Sequence, residues 1–234
     1  MILSVKYITI TFGSPKPTLT DGGQFMKIVY SDRDIAVIVK PSGISSQSTP
    51  DRKGVPDLLS TELNGEIYTV HRLDEATAGL MVYARTKEAA AVLSRDLADR
   101  LFEKEYIARV HGIPEPPEGE CNDLLFRDRA KNKSYVVKRE RKGVKKASLE
   151  YTTLKTNETE NGTVSTVRIK LHTGRTHQIR VQFSSRKMPL VGDGKYGARD
   201  GENKLALFCC RLSFKHPSTG EALTFEETPP FLSE

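Results

Sequence analysis

Residues 68–86 read YTVHRLDEATAGLMVYART and join two kinds of chain. The first half is polar and turn-forming around Asp74, Glu75 and Gly79, whereas Leu80 to Ala84 is a continuous apolar run. A short unbroken apolar run bounded by glycine reads as a buried strand. Arg72 and Asp74 are therefore expected on a loop entering that strand, and loops carried by a rigid scaffold are where chemistry concentrates. Immediately downstream, Lys87 to Arg100 sets Ala90, Leu93 and Leu97 at helical spacing, and Lys104 to Val110 returns to a period of two, so helix is followed by strand. Upstream, FMKIVYSDRDIAVIVKPSG reads as strand, turn, strand.

Farther out the pattern stays strand-rich. After the turn-forming HGIPEPPEGE, strands are expected at Tyr135–Lys138, Ala147–Lys155 and Thr163–Leu171, the last two joined by the polar NETENG as an antiparallel pair. His177–Ser185 reads as a short helix, and Leu205–Phe214 and Ala222–Phe225 as late strands. The fold class is α+β. Residues 1–25, with the alternating YITITF, read as an N-terminal extension or an edge strand, and residues 26–234 as the main domain.

The chain of 234 residues is 37% hydrophobic and 28% charged, as for a globular protein with a sizeable core. No stretch approaches the roughly 18 apolar residues of a membrane-spanning helix, and the opening has no small-residue cleavage pattern, so a cytoplasmic protein is expected. Cys121, Cys209 and Cys210 are an odd number with two adjacent, which suits reduced thiols rather than a disulfide framework. The net charge of +6 is local: Arg127 to Lys146 carries ten basic and two acidic residues, +8, leaving −2 for the rest. Such a segment is either a solvated loop or a surface for phosphates. The histidines and cysteines lack the spacing of a tetrahedral zinc site, and neither a complete hydrolytic triad nor the paired cysteines of a zinc deaminase are present.

Taken alone, Asp74 fits a turn residue, an Asx cap or an exposed acid. Its context changes the reading. HRLDEATAGL resembles the signature loop of the RluA-type branch of the RluA/RsuA pseudouridine synthases, and KEYIARVHG, LHTGRTHQIRVQF, GDGKYG and LALFCCRLSF resemble later segments of that family in the same order, from about Ile35 to Phe214. The resemblance implies a pseudouridine synthase-like, mainly antiparallel central sheet with flanking helices and an active-site cleft between two subhalves. It also implies an enzyme that converts uridine to its C5-glycosidic isomer in structured ribosomal or transfer RNA, with no metal, cofactor or obligate protein partner. A non-catalytic RNA-binding module on the same fold is the alternative.

The site residues follow from the same match. Asp74 becomes the catalytic residue, attacking either the ribose carbon or the uracil ring; carboxylates suit nucleophilic or base chemistry. Tyr106, otherwise a core aromatic, becomes a group that stacks on uracil or helps proton transfer. Arg180, otherwise a helix-surface charge or a structural ion pair, becomes the partner of Asp74, able to hold a carboxylate with a bidentate fork. Arg72, Arg175, His177 and Leu205 are expected to bind substrate or shape its pocket, with Leu205 beneath the base. Apart from the match, the concentration of positive charge in Arg127–Lys146 makes Lys138, Arg139, Arg141 and Lys142 candidates for the RNA backbone. The chain departs from the family pattern at Ala78, at Gln182 after HQIRV and at LALFC, which bears on subgroup and substrate.

Overall fold

The computed structural model describes residues 17–19 and 25–232. The alternating YITITF lies outside the described residues. The chain forms two compact units, one comprising the described residues up to Lys104 together with Cys209–Pro229, the other Glu105–Phe208 and the residues from Pro230 on.

In the first unit, strands β1 (Pro17–Leu19), β2 (Phe25–Ser31) and β3 (Ile35–Lys40) pair antiparallel, and β3 pairs antiparallel with β5 (Ala78–Ala84). The short β4 (Tyr68–Thr69) adds to β5. Strand β11 (Leu207–Lys215) follows β5 in the sheet and pairs with β12 (Ala222–Glu226). Leu80 to Ala84 and Ile35 to Ile38 are fully buried, which explains why both stretches lack polar alternation. Helix α2 (Lys87–Ala98) starts where Thr86 accepts the Ala89 N–H, as the periodicity predicts, and ends at Ala98, two residues short of the expected Arg100, where the Asp99 N–H donates to the Arg95 carbonyl. Its Ala89 and Leu93 are buried.

Helix α1 (Val55–Leu63) is not apparent from the sequence pattern. It has Pro56 in its first turn, and the Asp57 carboxylate accepts the N–H of Gly54. Only Val55 and Leu59 are buried, so its apolar stripe is too thin to read.

In the second unit the strand order is β6 (Glu103–His111), β10 (Gly162–Leu171), β9 (Val144–Thr159), β7 (Glu118–Asp128), β8 (Lys133–Val137), all antiparallel. Strand β7 is a correction, because its start lies in the segment that reads as turn. The expected strand Tyr135–Lys138 runs two residues earlier at its start and ends before Lys138. Helix α3 (Gln178–Ser185) is buried along most of its length, and Val181 packs with Leu125, Ala147 and Tyr196 in a small core.

Candidate active site

Asp74 lies in the loop that enters β5, as expected, and is half-buried. The backbone around it is fixed residue by residue. Ser46 Oγ donates to the Leu73 carbonyl at 2.8 Å, and the Leu73 N–H donates back to it at 3.1 Å. The Asp74 carbonyl accepts the Thr77 N–H at 2.9 Å, the Glu75 carbonyl accepts the Gly43 N–H at 2.8 Å, and Ser42 Oγ donates to the Ala76 carbonyl at 2.8 Å. Four consecutive residues thus have a main-chain group held by a partner outside the loop or by the turn itself.

Lys40 completes the clamp. It is 0% exposed, and its Nζ donates to the carbonyls of Pro41 at 2.7 Å, Ile44 at 2.9 Å and Glu75 at 3.1 Å. Burial pulls its pKa down to about 7, against the opposing influence of the Glu75 and Asp74 carboxylates. Exposed Arg52 holds the Glu75 side chain with two 2.7 Å bonds, and this pairing lowers the Glu75 pKa.

His71 is structural rather than a base facing substrate. It is buried, and its Nε2 accepts the Val82 N–H at 3.1 Å. A neutral ring accepting at Nε2 carries its proton on Nδ1, which can donate to the Lys104 Nζ 3.2 Å away when that amine is neutral. Burial first, and Lys104 second, hold the His71 pKa well below the usual imidazole value; burial also brings Lys104 to about 8. Arg72 is exposed beside this buried pair. Gly79, two residues past Thr77, has φ +120°, and a Cβ there would sit 2.4 Å from the Cys209 backbone nitrogen, so β5 and β11 approach as only glycine permits.

The second unit holds the other expected residues. Tyr106 is buried on β6 opposite Ile169 of β10. Arg180 is buried on α3, and its guanidinium makes a bidentate pair with Asp193, Nε and Nη2 each reaching one carboxylate oxygen at 2.7 Å. The pair is 8% and 0% exposed. Arg180 also lies 5.1 Å from the Tyr196 ring centroid. Asp193 and Tyr196 belong to GDGKYG, whose turn is as expected from its glycines. Gly192 has φ +77°, and a Cβ there would come within 2.0 Å of the Lys204 carbonyl. The motif's contribution to the site, missed by its glycine reading, is to fix Arg180.

His177 adopts a left-handed φ of 54° at the start of α3, and its Nδ1 lies 2.9 Å from the Tyr196 hydroxyl, which in turn accepts the Ser134 N–H at 2.8 Å. Arg175 donates from Nε to the Lys146 carbonyl at 3.0 Å. Gln182, at a departure from the family pattern, donates to the Cys121 carbonyl at 3.0 Å and to Asp123 at 2.7 Å, tying α3 to β7. Leu205 is buried just before β11, outside the strand in which the sequence pattern puts it. Lys138, Arg139, Arg141 and Lys142 are all exposed. The remaining histidines each have a separate carboxylate: His111 meets Asp200, His172 meets Glu150, and His216 meets Asp32. The three cysteines are buried and form no disulfide, and no helix among the described residues is long and apolar enough to cross a membrane.

The family model described as RNA pseudouridylate synthase matches residues 34–185. The dual-specificity RNA pseudouridine synthase RluA of Escherichia coli is 34% identical over 216 residues, covering 88% of this chain and 94% of the relative. An uncharacterized RNA pseudouridine synthase of Aquifex aeolicus is 34% identical over 226 residues, covering 88% and 70%. Human RNA pseudouridylate synthase domain containing 1 superposes with a TM-score of 0.75 at 24% identity, over 94% of this chain and 87% of that one, which establishes the shared fold. With its strands, its HRLD loop and these relatives in agreement, the chain belongs to the RNA pseudouridine synthases, in the RluA-type branch.

Proposed function

We propose that this protein isomerises specific uridines in structured ribosomal or transfer RNA, and that Asp74 acts directly on the reacting nucleotide. Pseudouridine formation breaks the bond between C1′ and N1, forms one between C1′ and C5, and moves a hydrogen from C5 to N1. Reactant and product have the same composition, so the stoichiometry calls for no oxidant, reductant or second substrate. What it demands is a group that detaches the base, a pocket that retains it while it turns, and a route for the proton.

The observation that carries the reading is the clamp on the Asp74 loop. A carboxylate that attacks carbon must be presented in one geometry, and positioning of this kind accounts for a large share of catalysis. Lys40, Ser42, Gly43 and Ser46 hold the backbone from Leu73 to Ala76, which supports a reading in which the Asp74 side chain acts on substrate from a fixed main chain. Tyr106 supplies an aromatic face or a hydroxyl, Arg180 a charge locked in place by Asp193, and Leu205 an apolar surface for the base. Arg72, Arg175 and His177 shape the binding of the flipped uridine. Lys138, Arg139, Arg141 and Lys142 contact phosphates. Unstacking a base costs a few kcal/mol, least where it is already unpaired, so a loop or distorted uridine is the expected target. Three buried cysteines outside any disulfide suit a reducing compartment, and the cytoplasm is the proposed one.

The test is pseudouridine mapping at single-nucleotide resolution in cells lacking the protein, complemented with wild type or Asp74→Asn. One mark lost on deletion and restored by wild type alone is expected. Restoration by Asp74→Asn would remove Asp74 from the chemistry.

A further inference from the structure

The sheet end built from β7, β8 and β9 has two unlike faces. On one, Leu125, Val136 and Ala147 pack with Val181 and Tyr196. On the other, the register sets Leu124 opposite Val137 and Lys146, and Phe126 opposite Tyr135 and Val144. A solvent-facing sheet surface ordinarily alternates to polar residues, but here five of the six are apolar. Tyr135 is 37% exposed and the other four are half-buried. The Arg141 guanidinium carbon lies 4.8 Å from the Phe126 ring centroid, which fixes a planar cation on this face. A cavity of about 450 Å³ opens here, lined by Leu124, Glu140, Arg141, Val144 and Lys146. That volume is within the roughly 300–1,000 Å³ of small-ligand sites.

The surrounding charge selects the occupant. Two of the five lining residues, Arg141 and Lys146, are basic and one, Glu140, is acidic and lies 3.7 Å from Lys146, a net +1. Four of the five belong to the stretch that carries ten basic and two acidic residues. This balance favours an anionic ligand, while the floor is apolar and the rim holds a flat guanidinium. A nucleotide joins an anionic phosphate to a flat apolar base; an acidic peptide or an inorganic anion would make no use of the floor. None of Asp74, Tyr106, Arg180 and Leu205 lines the cavity. We propose that it seats an unstacked base of the RNA other than the reacting uridine, with Leu124 and Val144 against the base, the Arg141 guanidinium at its rim with the flat side to the base and the N–H edge to a phosphate, and Lys146 turning from its exposed partner Glu140 to the neighbouring phosphate. The inference rests on the RNA-modifying reading above and adds to it a second nucleotide subsite, which would favour targets with a single-stranded neighbour.

The experiment compares wild type with Leu124→Gln, Val144→Thr and the double variant, none of which changes charge or adds an aromatic ring. Binding is measured by fluorescence anisotropy against a short labelled single-stranded RNA and a duplex of the same sequence, from low to moderate salt, with polyglutamate as competitor. Base stacking in such sites is worth enough that the double variant is expected to bind the single strand roughly tenfold more weakly, with unchanged duplex affinity and unchanged salt slope, since every phosphate-binding cation is retained. Thermal unfolding of each variant identifies any that has lost the fold, and the two single substitutions lie on different strands, so one misfolded variant leaves the other informative. Wild-type single-strand affinity in folded variants overturns the inference while leaving RNA binding intact. Equal weakening for single strand and duplex, or displacement by polyglutamate as efficient as by RNA, overturns it in favour of a general anion surface. Failure of wild type to bind either RNA overturns the RNA-modifying reading itself.

Discussion

Replacing Asp193 by asparagine removes the carboxylate bonded to Arg180 while the turn around it keeps its main-chain bonds. The Asp193 N–H still donates to Leu190, and its carbonyl still accepts from Tyr196 and Ala198. What changes is the side chain: one of two 2.7 Å acceptors becomes a donor, and a guanidinium on a residue only 6% exposed loses the negative charge of Asp193. Removing one member of a buried ion pair costs about 3–5 kcal/mol, because the other charge stays desolvated. For a chain of this size each kcal/mol corresponds to about 2–4 °C in Tm, so a fall of roughly 6–20 °C is expected. Calorimetry or circular dichroism measures it, and single-turnover isomerisation of the mapped RNA runs alongside. The double variant Asp193→Leu with Arg180→Met replaces both charges with apolar side chains. It should regain most of the lost stability without regaining turnover, which separates the structural role of the pair from the catalytic role proposed for Arg180. A Tm for Asp193→Asn within about 2 °C of wild type would show that the pair does not hold Arg180 in the manner described, since even the lower bound of the estimate exceeds that change.

Other perturbations address separate parts of the molecule. Lys40 and Lys104 have folded-state pKa values depressed to about 7 and about 8, so between those values and the ordinary lysine range near 10.5 the unfolded chain binds more protons than the folded one. Stability from these two groups therefore rises with pH across that window; the urea midpoint should increase from pH 7 to pH 9, and Lys40→Met should flatten the rise, an unchanged slope arguing against the buried amine. Tyr106→Phe and Tyr106→Leu divide the roles proposed for that residue: slow turnover in both points to the hydroxyl, a deficit confined to leucine points to stacking, and wild-type rates in both would discard each role. Changing Lys138, Arg139, Arg141 and Lys142 together to glutamine should weaken RNA binding and reduce the salt slope by about 0.7–0.9 for each phosphate no longer neutralised, leaving the saturated chemical step nearly intact. A four-site variant with wild-type affinity and slope would remove this surface from RNA binding.

Much of this protein is legible from local pattern alone. The apolar run Leu80–Ala84, the period-two stretch around Tyr106, the hairpin of β9 and β10 and the capped helix α2 each announce themselves over a handful of residues, because strand and helix periodicities are local properties of burial. The ordered motifs likewise locate Asp74, Tyr106 and Arg180 in the chain. Strand β7 escapes the pattern because Pro116, Pro117 and Gly119 mark a turn at its start, and its Leu124, Leu125 and Phe126 break the alternation by being apolar on both faces.

The support of the site belongs to tertiary structure. A lysine reads as surface, yet Lys40 is buried because residues 41, 44 and 75 bring three carbonyls to one point, the last of them 35 positions away in the chain. An arginine's partner cannot be chosen from its neighbours in sequence, and the turn at Gly192, not the spacing of charges, brings Asp193 to Arg180. Periodicity records which side chains avoid water, a property each segment expresses by itself. Which donor meets which acceptor is fixed only when distant segments fold together, and that is where the clamp on Asp74 and the lock on Arg180 arise.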